Sequence, residues 1–235
     1  TSAAASAPAG LEGTEKQLSY MLGYEISTQL DLASLKKSGI TIDKDALFAA
    51  IEDQMAGTPS KMTPEQVQAV MTAVTEKMQA AAAKEAEATA AAGKQWLEAN
   101  KSKEGVQTTA SGLQYSVKKE GTGAAIAKGD LASVEYEGRL TNGEVFDSNK
   151  GGKDFDVPVV DNTVIKGWIE GLQLMKEGGE ATFYIPSKLA YREQGVPGSK
   201  IGPNSTLVFD VKLVKIGKLE DLQPAPGQVD VKKVQ

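Results

Sequence analysis

Val164-Ile165-Lys166-Gly167-Trp168-Ile169-Glu170-Gly171-Leu172-Gln173-Leu174-Met175 is the stretch whose reading decides the fold. Two β-branched residues and a glycine lead into Trp168, after which Ile169, Leu172 and Met175 recur at helical spacing. A helix of about two turns does not hold itself together in water, because nucleation costs more than a few propagation steps return. It must be packed by its neighbours. Trp168, the largest apolar side chain of the stretch, is then either ordinary core or the floor of a cavity. What lies on either side settles which fold can pack it.

Those flanks read as strands. Leu113, Tyr115 and Val117 alternate after Ser111-Gly112, and Val134 and Tyr136 alternate with Ser133, Glu135 and Glu137. Asn142-Gly143 is a two-residue hairpin signal that joins the second of these strands to Val145-Phe146-Asp147. Thr182-Phe183-Tyr184-Ile185 follows the Gly178-Gly179 turn, and Leu207, Phe209, Val211 and Leu213 share one face of a last strand over 206–216. Antiparallel strands interrupted by one short helix predict an α+β fold, with a sheet wrapped on that helix. Beyond Gly217 the chain, including Pro224-Ala225-Pro226-Gly227, has no periodicity and is expected to be a loose tail over 218–235.

Before Gly105 the composition is different: rich in Ala, Met and Gln, and helical in pattern. Residues 1–14 are expected to be a flexible N-terminus. Leu18, Met21, Leu22, Ile26, Leu30 and Ala33 form one stripe over 15–38, predicting a single helix that stops near Gly39. Asp43 suits an N-cap for a second helix, carrying Leu47, Phe48, Ile51 and Met55 and ending at Gly57. Thr63-Pro64-Glu65-Gln66 is a capping box with proline at the first helical position. Val67, Val70, Met71, Val74 and Met78 follow as a stripe, which dissolves into Ala81–Ala92 before Trp96 and Leu97. A helix reaching about Lys103 would be roughly 60 Å long, and its Ala-rich part reads as a solvated spacer. The predicted domains are thus a helical module over 15–104 and an α+β domain over 105–217. The helical module has too little core to stand comfortably alone. Its stripes are expected to bury against a second copy, making a homodimer; packing on the α+β domain is the alternative, against which the spacer argues.

Two absences restrict the chemistry. The 235 residues include no Cys and no His, so Ser-His-Asp and Cys-His catalysis and cysteine-based metal sites are excluded. Any catalysis must use carboxylates, Lys, Tyr or binding alone. The net charge of −5, without basic clusters, argues against nucleic acid as a partner. No apolar run is long enough for a transmembrane segment. The small residues of Thr1–Gly10 read as the start of an exported protein after removal of a signal peptide.

Five blocks resemble the FKBP-type peptidyl-prolyl isomerases in order and spacing: Val134-Glu-Tyr136-Glu-Gly138, Gly143-Glu-Val-Phe146-Asp147-Ser148, Val164-Ile165-Lys-Gly-Trp168, Leu189-Ala-Tyr191 and Gly202-Pro-Asn-Ser-Thr-Leu-Val-Phe209-Asp210. They span about residues 106–217. The helical half resembles the amino-terminal module of the exported, dimeric Mip and FkpA branch. The resemblance implies a half-open antiparallel sheet around a short helix, with an apolar pocket lined by Tyr136, Phe146, Asp147, Phe155, Val164, Ile165, Trp168, Tyr191, Ile201 and Phe209. Trp168 would be its floor, Asp147 and the Tyr191 hydroxyl its polar points, and the Ile165 N–H a donor to the bound carbonyl. Asp147, Tyr191, Phe146, Trp168 and Ile165 would carry the catalysis. Two positions depart from the family pattern: Arg192 stands where glycine usually follows Ala-Tyr, and the flap 193–200 carries an extra residue before Ile201.

The implied reaction suits the residues present. Rotating a peptide bond loses amide resonance across a barrier of about 18–20 kcal/mol. No external bond is made or broken, so neither a metal nor a cofactor is expected. The expected partners are Pro-containing unfolded polypeptides, a second copy of the chain, and macrolides of the tacrolimus and rapamycin type. The expected place is the periplasm, with outer-membrane or surface association left open. A non-enzymatic dimeric holdase that only docks Pro-containing segments is the alternative, and Arg192 on the pocket rim is the feature that favours it.

Overall fold

The computed structural model describes residues 6–222, so the expectations for the first five residues and for the tail beyond Leu222 lie outside the described residues. The chain divides into two compact units between Lys84 and Glu85.

The first unit is helical: α1 (Thr14–Thr28), α2 (Leu32–Lys37), α3 (Lys44–Met55) and the beginning of α4 (Pro64–Lys101). The single helix expected over 15–38 is broken into α1 and α2. Gln29 and Leu30 close α1 with backbone bonds to the carbonyls of Ile26 and Ser27. Asp31 then starts α2, its carboxylate accepting from the Ser34 N–H at 3.2 Å. An aspartate satisfies a free helix N-terminus better than it tolerates a helix interior, so the local cap overrides the continuous stripe. Asp43 caps α3 through the Ala46 N–H at 2.9 Å. Thr63 and Gln66 open α4 with reciprocal bonds of 2.9 and 3.2 Å. No residue of α1, α2 or α3 is buried. Leu18, Met21, Ile26, Phe48 and Ile51 stand exposed, and Met55 is 84% exposed.

The second unit begins well before the composition change near 105, because the end of α4 packs on the sheet. Gly93 and Asn100 are buried in that helix. A Cβ at Gly93 would lie 2.6 Å from the Thr206 hydroxyl oxygen. Asn100 Nδ2 donates to Gln114 Oε1 at 2.8 Å, and Gln114 Nε2 donates to the Leu97 carbonyl at 2.8 Å. Asn204 Nδ2 reaches the Ala86 carbonyl at 3.0 Å, and Trp96 lies 5.9 Å from the Tyr184 ring. Part of the stretch read as a solvated spacer is therefore docked. Its contacts run through Gly93, the Asn100 amide, two backbone carbonyls and the Trp96 ring, which together make no apolar stripe.

Seven strands form one antiparallel sheet: β1 (Gln107–Thr108), β2 (Gln114–Lys119), β3 (Asp130–Leu140), β4 (Val145–Ser148), β5 (Phe155–Pro158), β6 (Glu180–Ile185) and β7 (Leu207–Lys218). Their order is β1-β2-β6-β7-β3-β4, with β5 also paired to β3. The predicted hairpin, the strand after Gly178-Gly179 and the last strand are all present; β1 and β5 were not anticipated. The long β3–β7 pairing runs from Asp130↔Lys218 to Leu140↔Leu207. The sheet wraps on α5 (Lys166–Leu172), whose Trp168, Ile169 and Leu172 join Val134, Phe183, Ile185 and Leu207 in one core. α5 approaches closely because two of its residues are glycine. A Cβ at Gly167 would fall 2.5 Å from Ile185 and one at Gly171 2.8 Å from Phe183.

Candidate active site

The site is built where one edge of β3 changes partner. Leu131–Val134 pair with β5, and Glu137–Arg139 pair with β4. The gap is closed by one side chain. Asn149 Oδ1 accepts from the Tyr136 N–H at 2.7 Å, while its Nδ2 donates to the carbonyls of Val134 and Lys153 at 2.9 and 3.2 Å. With both amide hydrogens and the amide oxygen engaged, Asn149 stands in for a missing strand and fixes the backbone of Tyr136. Neither the sequence blocks nor periodicity pointed to this residue.

Tyr136, Phe146, Asp147, Phe155, Asn162, Thr163, Val164, Ile165, Trp168, Tyr191 and Phe209 enclose a pocket of ≈ 430 Å³. Trp168, 4% exposed, is held at the start of α5. Tyr136 and Phe209 meet it edge-on, each with ring centres 5.2 Å away, and Phe155 stands at 6.3 Å. Phe146 packs edge-on against Phe209 at 5.5 Å. Such edge contacts match the positive rim of one ring to the negative face of another, so the walls hold each other at fixed angles. Gly138 lies behind both: a Cβ there would come within 2.5 Å of Phe209 and 2.7 Å of Phe146.

Polar groups are few and grouped on one side. The Tyr136 hydroxyl donates to Asp147 Oδ2 at 2.7 Å. Burial, then this bond to a carboxylate, push the Tyr136 hydroxyl well above the usual phenol range. Burial and the Asp147 charge also raise Tyr191, which is 39% exposed at the rim. Both hydroxyls therefore stay protonated at neutral pH, and the Tyr191 proton is available to an acceptor in the pocket. Ile165 precedes the first turn of α5 in extended conformation, and its N–H has no backbone partner among the described residues.

Nine of the ten lining residues expected from the sequence come together here. Ile201 does not line the pocket; at 6% exposure it is buried in the core, where its carbonyl accepts from the Val196 N–H at the base of the flap. Asn162 and Thr163 were missed, although an Asp-Asn pair before a β-branched run is a readable turn signal. Asn162 has φ 68, and Thr163 secures the loop through bonds to the Pro158 and Val160 carbonyls. Arg192 has φ 55, the left-handed conformation that explains why glycine is usual there, and its side chain lies outside the pocket lining.

Comparison with known proteins agrees with this geometry. Residues 123–214 match the family described as FKBP-type peptidyl-prolyl cis-trans isomerase, and residues 15–117 match the domain amino terminal to it. The chain is 51% identical over 228 residues to a probable FkpA isomerase of Neisseria meningitidis serogroup B, spanning 94% of this chain and 82% of that one. The chain belongs to the FKBP-type peptidyl-prolyl cis-trans isomerases. This FKBP-type isomerase is also 38% identical over 223 residues to the outer membrane protein MIP of Legionella longbeachae, covering 93% of this chain and 92% of that one. The crystal structure of FkpA from Escherichia coli superposes with a TM-score of 0.74 at 35% identity, over 89% of this chain and 99% of that one. The two-part architecture, helices with one long helix followed by an FKBP-like sheet, is thus that of the family. Its enzymatic activity is cis–trans exchange of X–Pro peptide bonds.

Proposed function

We propose that the pocket receives the X–Pro segment of an unfolded or partly folded polypeptide and favours the twisted amide over both planar forms. The observation that carries this is the aromatic box on Trp168, with polar atoms confined to one side. The proline ring sits on Trp168 between Tyr136, Phe155 and Phe209. The preceding carbonyl takes the free Ile165 N–H, and the Tyr191 hydroxyl supplies a second donor. Asp147, held against Tyr136, fixes that wall and its charge, and Phe146 backs Phe209. Planar amide is the more charge-separated form and is favoured by water, so an apolar box disfavours it relative to the twisted one. No covalent intermediate and no metal enter these steps. Macrolides of the tacrolimus and rapamycin type compete for the same box.

The helical unit makes the protein a homodimer that assists folding. Its exposed apolar faces on α1, α3 and the first turns of α4 exceed what a lone soluble chain leaves in water. A two-fold dimer covers the same patch on both subunits at once. Two pockets on one particle raise the effective concentration for a client with several prolines. The periplasm suits such a client, a chain without cysteine, and described residues in which no helix is long and apolar enough to cross a membrane.

Two materials test this reading: the full chain, and residues 85–222, the compact sheet unit with its docked helix end. Both should accelerate exchange of a short X–Pro peptide. Only the full chain should scatter light with twice its own mass at micromolar concentration and speed proline-limited refolding of a protein client. A fragment inert on the peptide sinks the site; a monomeric full chain sinks the dimer.

A further inference from the structure

A second groove, of ≈ 510 Å³, lies beside the aromatic box and shares Asn162 with it as a common wall. At about 100° per residue, Ile165 and Trp168 face the box. Lys166, Ile169, Glu170 and Gln173 lie on a flank of α5 about 120° further round. Buried Ile169 forms the floor of the groove, with half-exposed Leu174 and partly buried Leu189 along its sides. These three aliphatic residues make an apolar strip that lies across Asn162 from the pocket assigned above to the X–Pro segment.

The charges around the strip are unequal in their freedom. Glu170 accepts from the hydroxyls of Thr109 and Ser111, one on each carboxylate oxygen. Asp161 pairs with Lys128 at 2.8 Å. Lys166 has no ion-pair partner among the described residues. The one uncommitted charge on the rim is thus positive.

We propose that this groove is a second subsite for the same client chain. It takes an apolar side chain of the client and favours an acidic residue next to it. The spacing follows from the helix between the two sites. A helix with side chains is about 10–12 Å across, so an extended chain at about 3.3–3.6 Å per residue needs about three or four residues to pass it. The preferred client segment therefore carries proline, then a leucine or similar residue three or four positions away, flanked by Asp or Glu. This rests on assigning the box to the X–Pro segment.

The test uses the full chain with two substrates: a tetrapeptide ending beside its proline, and a longer peptide with Leu-Glu placed four residues from the proline on either side. Leu174→Asp and Lys166→Glu should each lower kcat/KM on the longer peptide by about 5- to 10-fold, the worth of one partly buried leucine or one local charge pair. The loss should fall mainly on KM, with tetrapeptide turnover and melting temperature held. An unchanged ratio between the two substrates in both variants overturns the subsite. A change of particle mass in either variant assigns the groove to a second copy of the chain and overturns it as well. Wild-type protein inert on the tetrapeptide refutes the assignment of the box, and the subsite with it.

Discussion

The two units handle apolar surface in opposite ways. In the sheet unit Phe183, Leu172, Leu207 and Val134 are fully buried, and among the described residues no buried side-chain polar atom lacks a hydrogen bond. In α1, α2 and α3 nothing is buried, although Leu, Met, Phe and Ile recur at helical spacing. One sequence closes on itself; the other leaves its apolar stripes exposed. Mutations should therefore read differently in the two units. Trp168→Ala should lower the stability of the sheet unit by about 3–5 kcal/mol and abolish turnover. Met55→Glu with Phe48→Glu should leave the melting of the sheet unit unchanged and convert the proposed dimer to monomers. Denaturant titration and light scattering on both variants check this. Comparable destabilisation of the sheet unit in the two cases would erase the contrast.

Within the sheet unit, pocket residues differ from core residues. Asp147→Leu and Tyr191→Phe remove polar atoms from an open wall, so each should lower kcat/KM by about 3- to 10-fold while shifting stability by less than about 1 kcal/mol. Peptide turnover set beside denaturant midpoints separates the two effects; equal losses would make these residues structural. The smallest effect is at the rim. Arg192 holds φ 55, a conformation that disfavours side chains bearing a Cβ. Arg192→Gly should relieve about 1–2 kcal/mol of strain, less about 0.5–1 kcal/mol of added chain entropy, read as a slightly higher denaturant midpoint with peptide turnover unchanged. A lower midpoint would show that the arginine side chain stabilises the flap.

What could be read in advance follows the same division. Alternation named β3 and β7 because one face of each strand meets the core, the Gly178-Gly179 turn marked the start of β6, and Asn142-Gly143 named the hairpin because its turn needs that conformation. Five ordered blocks supplied eight lining residues of the pocket, and the family resemblance between the blocks supplied Phe155. Features made by polar or missing side chains stayed hidden. β5 is four residues long, ends in proline and pairs only through β3. Asn149 works by matching backbone groups rather than by adding apolar area, so no periodicity marks it. The docking of α4 runs through Gly93, where the relevant signal is an absent methyl. Ile201 sits just before a family block yet is buried in the core, since nearness to a motif does not fix which side of a loop a side chain takes.

Gly138 makes the interior width of the pocket depend on an atom that is not there. It lies on β3 behind Phe146 and Phe209 and is not among the residues that line the pocket. Any side chain at that position pushes one or both rings toward Trp168, narrowing the chamber from behind while leaving every residue of its lining chemically intact. The protein thus carries a built-in means of being blocked without being disarmed. An occluded but complete molecule would let the proposed capture of clients by the helices be tested with the rotation of prolines turned off.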